Sequence, residues 1–177
     1  MQGYYDTLKK VNLPHPGNEQ IEKDLIRTDV KQLEMEFLGN ILRAFVVRNP
    51  TVGYCQGMNF LVARLYSNLK SEEQAFWVLT QIVEQILPPD YYANLIGVLV
   101  DQKVVQRLME EKLPRLCETF DQFPEVRILL DQKIFKWLMV LFVGELSPTV
   151  ETYVWDLFFI KGSIVIIRVA LTVLQFF

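Results

Sequence analysis

The chain has 177 residues, 51% of them hydrophobic, with 12 Phe, 7 Tyr and 3 Trp, enough apolar material for a real core and incompatible with general disorder. Its 18 basic and 21 acidic residues are well mixed and leave a net charge of −3, so it carries no electrostatic footprint for nucleic acid. One histidine, His15, and two cysteines, Cys55 and Cys117, without CxxC or metal-type spacing argue against His-based triads and zinc sites and fit a reduced, cytosolic setting.

Residues 1–19 read as a short aromatic and basic segment followed by a loop built on Pro14, Pro16, Gly17 and Asn18. No basic-then-apolar leader opens the chain. Next comes Ile21-Glu22-Lys23-Asp24-Leu25-Ile26-Arg27-Thr28, a short helical turn or an irregular loop. On a helix, Asp24 and Arg27 stand three apart and can pair. Such a pair is either a surface contact worth little or a carboxylate that holds a guanidinium in one direction.

Leu33, Phe37, Leu38, Ile41, Leu42, Phe45 and Val46 recur at three- and four-residue steps, which predicts one buried face on a helix of roughly 31–48. Pro50 stops it. Met58, Leu61, Val62 and Leu65 restart the spacing, and between the two helices lies Val52-Gly53-Tyr54-Cys55-Gln56-Gly57-Met58-Asn59. Gly53 and Gly57 suit left-handed backbone or close approach to another chain. Gln56, between them, offers an acceptor and two donors. It is either a solvated turn residue or a presented amide.

Ser71 with Gln74 forms a capping-box pattern ahead of Phe76, Leu79, Ile82, Val83 and Ile86, and Pro88-Pro89 ends that helix. A further helix is expected from near Asp101, burying Val104, Val105, Leu108 and Met109. Pro114 and Pro124 bracket a short helical segment. Phe135, Leu138, Met139 and Phe142 share a face closed by Gly144, and Ser147-Pro148 opens a helix carrying Val154, Trp155, Leu157 and Phe158. Ser163 caps the last helix, which still reads as helical at Phe177 with no stop signal. The apolar runs are too short or too interrupted for a bilayer span. The pattern predicts an all-α fold of roughly seven to nine helices, cut at its ends.

Two motifs in this order resemble the TBC domain of GTPase-activating proteins for Rab-type small GTPases. Ile21 to Thr28 is similar to that family's I-x-x-D-x-x-R-T motif, and Gly53 to Asn59 to its Y-x-Q-G motif. Arg43-Ala44-Phe45 through Arg48-Asn49-Pro50 resembles the helix leading into the second motif, and Lys136-Trp137, Trp155-Asp156 and Gly162 a third region. Asp29-Val30 departs from the aromatic residue and proline usual after R-T. The family's Arg and Trp segment ahead of the first motif and the helices after the last are missing.

The resemblance implies a single domain over 1–177 that lacks its C-terminal helices. It would stimulate GTP hydrolysis by a GTP-bound Rab-type partner, as an activator rather than a hydrolase. Arg27 would be an arginine finger aimed by Asp24, and Gln56 a glutamine finger. Tyr54, Gly57 and Asn59 would support the turn, and Arg43 would be a structural ion-pair residue. GTP and Mg²⁺ would be carried by the partner and no cofactor by this chain. The expected location is cytoplasmic, at endomembrane surfaces reached through the partner. A helical module that binds a GTPase or another trafficking protein without catalysis is the other reading the residues allow.

Overall fold

The computed structural model describes residues 3–11, 16–28 and 30–176. Among them are ten α-helices and no strand, an all-α architecture. In chain order these are α1 (Tyr4–Lys9), α2 (Pro16–Ile26), α3 (Gln32–Arg48), α4 (Met58–Leu69), α5 (Glu72–Gln81), α6 (Ile96–Lys112), α7 (Pro114–Asp121), α8 (Pro124–Met139), α9 (Pro148–Lys161) and α10 (Ile164–Leu174). A π-helical turn, Ile82–Ile86, extends α5. The chain divides into two compact units, Met1–Asn94 and Leu95–Phe177.

In the first unit α3 packs against α1, α2, α4 and α5. Leu38, Ile41, Leu42 and Phe45 supply its buried stripe, each 0–1% exposed, and facing them are Met58, Leu61, Val62 and Leu65 of α4, all buried. Leu33, expected in this stripe, is exposed, because it lies in the first turn of α3 where the helix borders a cleft with α2. Two stretches not expected to be helical form helices. Residues 4–9 form α1, with Tyr5 and Leu8 buried. Pro16, Gly17 and Asn18 open α2, the position in a helix where proline's missing N–H leaves nothing unsatisfied. Pro14 and His15 lie outside the described residues. The helix places Ile21, Asp24 and Leu25 on one inward face.

α3 stops at Arg48 because Asn49, ahead of Pro50, leaves helical geometry (φ −128°, ψ 74°). Ser71 caps α5 by accepting the Gln74 N–H at 3.4 Å.

In the second unit α6 begins at Ile96, five residues before the expected start. Val98, Val105 and Met109 are buried there, while Val104 is exposed and Leu108 half-buried. Exposed Leu99 and Val100 had blurred that stripe. Past α8 the chain turns through two left-handed residues, Leu141 (φ 48°) and Phe142 (φ 64°). Trp155 donates Nε1–H to the Leu141 carbonyl at 3.0 Å, and buried Glu151 accepts the Gly144 N–H at 2.9 Å. Trp137 and Trp155 are both buried core residues. On α10, Ile167 and Leu174 are buried and Ile164 is exposed, and Phe177 lies outside the described residues.

Glu145 gathers Lys133, Lys136 at 2.8 Å and the Trp137 indole N–H at 3.3 Å. Burial raises its carboxyl, but the hydrogen bonds and charges of the two lysines outweigh that and hold it below the ordinary glutamate value of about 4.5. Its stabilisation is therefore complete above that value and lost as pH falls through the lowered folded one. Acid unfolding followed by tryptophan fluorescence should show a steeper loss of stability as pH falls below the ordinary glutamate value in the native chain than in Glu145→Gln. Equal slopes would contradict this account.

Candidate functional site

The two motifs meet between the end of α2 and the start of α4. α2 closes on a tight turn in which the Arg27 N–H returns to the Asp24 carbonyl at 3.1 Å and the Thr28 N–H to Leu25 at 3.0 Å. Thr28 also donates its hydroxyl to the Asp24 carbonyl at 2.9 Å. The Asn59 amide then joins this helix end to the next helix start. Its Nδ2 donates to Thr28 Oγ1 at 2.9 Å and to the Asp24 carbonyl at 3.4 Å, while its Oδ1 accepts the Gly57 N–H at 3.2 Å. One side chain thus braces the Thr28 hydroxyl and the Asp24 carbonyl at one helix end and meets the Gly57 N–H at the other.

The Asp24 carboxylate lies almost completely buried beneath this junction, its side chain 3% exposed. Oδ2 accepts the Tyr54 hydroxyl at 2.8 Å and Oδ1 accepts the Gln20 amide at 2.9 Å. Arg27 Nη1 stands 3.9 Å from Oδ1, with the arginine side chain 70% exposed. The carboxylate is thus solvated from within by neutral donors, and the guanidinium projects outward above it. The Tyr54 hydroxyl also lies 3.4 Å from Asn59 Oδ1, but its single proton serves the shorter contact to Asp24. Burial, then the Asp24 bond and charge, push the phenol well above its usual range.

Beyond Tyr54 the backbone runs through Gly53 (φ 63°) and Gly57 (φ 105°), a left-handed bracket that L side chains rarely adopt. Gln56 is exposed between them, its side-chain amide without a hydrogen bond among the described residues. Burial and the Asp24 charge raise the Cys55 thiol to about 11, so it stays protonated at neutral pH and is no nucleophile. Among the described residues no group of three His, Cys, Asp or Glu side chains could hold a metal ion, and no helix is long and apolar enough to cross a membrane.

Six of the seven residues singled out in the sequence therefore form one cluster: Asp24, Arg27, Tyr54, Gln56, Gly57 and Asn59. The seventh does not join it. Arg43 makes no ion pair with a described carboxylate. Gly39, one turn earlier, leaves room for the guanidinium to fold back on its own helix, where it donates to Asn40 at 3.4 Å. Two further polar members belong to the cluster: Thr28, which the sequence showed only as the last residue of the first motif, and Gln20, which it did not single out. Gln20 meets Asp24 at i,i+4, a spacing visible only once residues 16–20 are read as helix.

The Rab-GTPase-TBC domain description matches residues 2–177. The chain belongs to the Rab-GTPase-TBC domain family. It is 40% identical over 185 residues to TBC1 domain family member 2B of Homo sapiens, covering 98% of this chain and 19% of that protein. It is likewise 40% identical to member 2A of Homo sapiens over 171 residues, covering 92% of this chain and 18% of the relative. In structure it is similar to the Chlamydomonas flagellar RabGAP TBC domain, with TM-score 0.86 at 28% identity, over 99% of this chain and 60% of that one. The TBC chain described here thus spans about a fifth of the length of these curated relatives.

The TBC cluster depends on Asn59 more than on Tyr54, because Asn59 satisfies several buried groups and Tyr54 only one. Urea unfolding should show Asn59→Ala losing about 2 kcal/mol or more and Tyr54→Phe about 1 kcal/mol. The exposed Asn68 of the same helix is the control, its alanine variant staying within about 0.5 kcal/mol of the native chain. An Asn59→Ala variant as stable as Asn68→Ala would remove the junction from this role.

Proposed function

We propose that this chain stimulates GTP hydrolysis by a GTP-bound Rab-type GTPase, supplying Arg27 and Gln56 in trans to a nucleotide and Mg²⁺ carried by the partner. The observation that carries the reading is the Tyr54–Asp24 hydrogen bond. It ties the arginine-bearing end of α2 to the glutamine-bearing turn, so that two exposed groups rise from one buried network. The likeness to proteins described as Rab-GTPase-TBC domains supplies the class of partner.

Phosphoryl transfer to water asks little covalent chemistry of a protein. It asks for a positioned water and for compensation of charge on the phosphate oxygens. Arginine suits the second task, being always charged and presenting planar, paired donors. The arginine finger that a Ras-type GAP supplies in trans contributes about 10³–10⁵ in rate. Gln56 suits the first task. Its amide accepts from water and donates to phosphate at once, and the flanking glycines let its backbone approach the nucleotide.

On this reading the chain is an activator, with the hydrolytic centre completed in the partner. It would work in the cytoplasm, at whatever endomembrane the partner occupies.

Two experiments test the proposal. Arg27→Lys should lower stimulated turnover almost as far as Arg27→Ala, since one point charge does not reproduce a planar fork. A lysine variant that keeps most activity would refute the finger role. Single-turnover hydrolysis with four combinations of protein and partner tests Gln56. A partner whose own switch glutamine is replaced by leucine should still respond to the native chain, and Gln56→Ala should abolish stimulation of both partners without changing helix content. A leucine-substituted partner that fails to respond, beside a responsive native one, would make Gln56 a turn residue only.

A further inference from the structure

The turn that carries Gln56 is held at two points by the cluster: Tyr54 by Asp24 and Gly57 by Asn59. A third hold lies outside the motifs. Asn49, at the end of α3, accepts the Gly53 N–H on its carbonyl at 2.9 Å and the Val52 N–H on Oδ1 at 3.2 Å. The residues between α3 and Tyr54 therefore wrap around this one asparagine. Its amide has a direction: Nδ2 donates to Glu84 Oε1 at 3.2 Å. An ionised carboxylate only accepts, so Glu84 forces Nδ2 toward itself and leaves Oδ1 facing Val52.

Glu84 is itself fixed. It sits in the π-helical turn Ile82–Ile86, where the Leu87 N–H reaches back five residues to the Ile82 carbonyl at 3.0 Å. Arg48 grips it with both arms, Nε to Oε1 at 3.1 Å and Nη2 to Oε2 at 2.9 Å. The same guanidinium lies 5.7 Å from the Tyr4 ring and 5.4 Å from the Trp77 ring. A paired, half-buried fork with aromatic neighbours holds a carboxylate far more firmly than an exposed lysine could.

We propose that Glu84 is a positioning residue for Gln56: by orienting the Asn49 amide, it sets the turn from which the glutamine projects. This rests on the function proposed above. Arg48, Asn49 and Glu84 need not touch the partner or its nucleotide. They act through the path of residues 50–56. π-Turns inside α-helices are often found beside functional sites, and this one would earn its place by presenting Glu84 to the end of α3.

The test begins on the isolated chain, by amide hydrogen exchange of native protein and Glu84→Gln. Exchange should quicken at Val52 and Gly53, whose N–H groups rest on Asn49, and stay unchanged at Gly57, Arg27 and Thr28. Stimulated hydrolysis should then fall about 10- to 100-fold in kcat with KM within about twofold, as for a displaced reacting group on an intact docking surface. If Glu84→Gln does not fold, Asn49→Asp replaces it. That variant keeps an acceptor for Val52 but sets a second carboxylate against Glu84, with the same expected outcomes.

Faster exchange throughout residues 3–94, or unchanged protection at Val52 and Gly53, overturns the proposal. So does a loosened turn with native kcat. A native chain that stimulates no Rab-type GTPase would overturn the functional reading, and with it the positioning role, even if the exchange data bore out the Glu84–Asn49 clamp.

Discussion

The cluster depends on the side-chain amide of Asn59. A helix that ends inside a protein leaves carbonyls without partners, and a helix that begins there leaves N–H groups, each costly to bury unmet. Here the end of α2 and the start of α4 lie side by side, and one residue must satisfy both. An amide offers two donors and an acceptor on one short, uncharged side chain, where a hydroxyl has a single donor. Aspartate would lack the donor for Thr28, and leucine would leave the Gly57 N–H without its acceptor and unlink Thr28 and the Asp24 carbonyl from α4. By joining the two helix ends, Asn59 brings the residues beyond each of them into one site.

That junction makes the burial of Asp24 tolerable. A carboxylate removed from water costs several kcal/mol unless its oxygens find donors. Its oxygens take them from Tyr54 and Gln20, both neutral, so the negative charge is kept rather than cancelled inside the protein. The uncompensated charge then faces Arg27, which stands at the surface. An arginine buried in a tight pair would have been consumed by its partner. An arginine 70% exposed above a buried carboxylate keeps its donors for something else.

Much of this was legible in the sequence, and the exceptions follow a physical rule. The apolar stripes of α3 and α4 carry a strong 3.6-residue period, and the structure buries Leu38 to Phe45 and Met58 to Leu65 as that period predicts. The glycine bracket also identified itself, since residues 53 and 57 both take the left-handed backbone expected of them. The start of α2 did not, because Pro16-Gly17-Asn18 is loop composition everywhere except at a helix N-terminus. α6 was misplaced where apolar residues face outward, which periodicity cannot distinguish from burial. Partnerships across long stretches were the least legible. Asp24 with Tyr54, and Glu84 with Arg48, span 30 and 36 positions, and no local pattern encodes them. Arg43 pairs with no described carboxylate, and its guanidinium instead folds back over Gly39 on its own helix.

The looseness of the Arg27 contact is informative about how such a site works. At 3.9 Å its Nη1 feels the Asp24 charge but makes no hydrogen bond to it. A guanidinium locked by two short bonds to a carboxylate would have to break them before meeting a phosphate, and that cost would be subtracted from catalysis. One that is merely attracted can swing, while the buried charge beneath limits where it swings. Gln56 shows the same division, an unengaged amide on a turn whose backbone is fixed at both glycines. In both cases rigidity lies in the backbone and the buried network, and freedom is left to the last few bonds of the side chain. Under the proposed function, contacts that are long in the free protein would tighten only in the complex. The buried polar network and the exposed tips are therefore two parts of one arrangement, in which Asp24, Tyr54 and Asn59 restrict where Arg27 and Gln56 can reach.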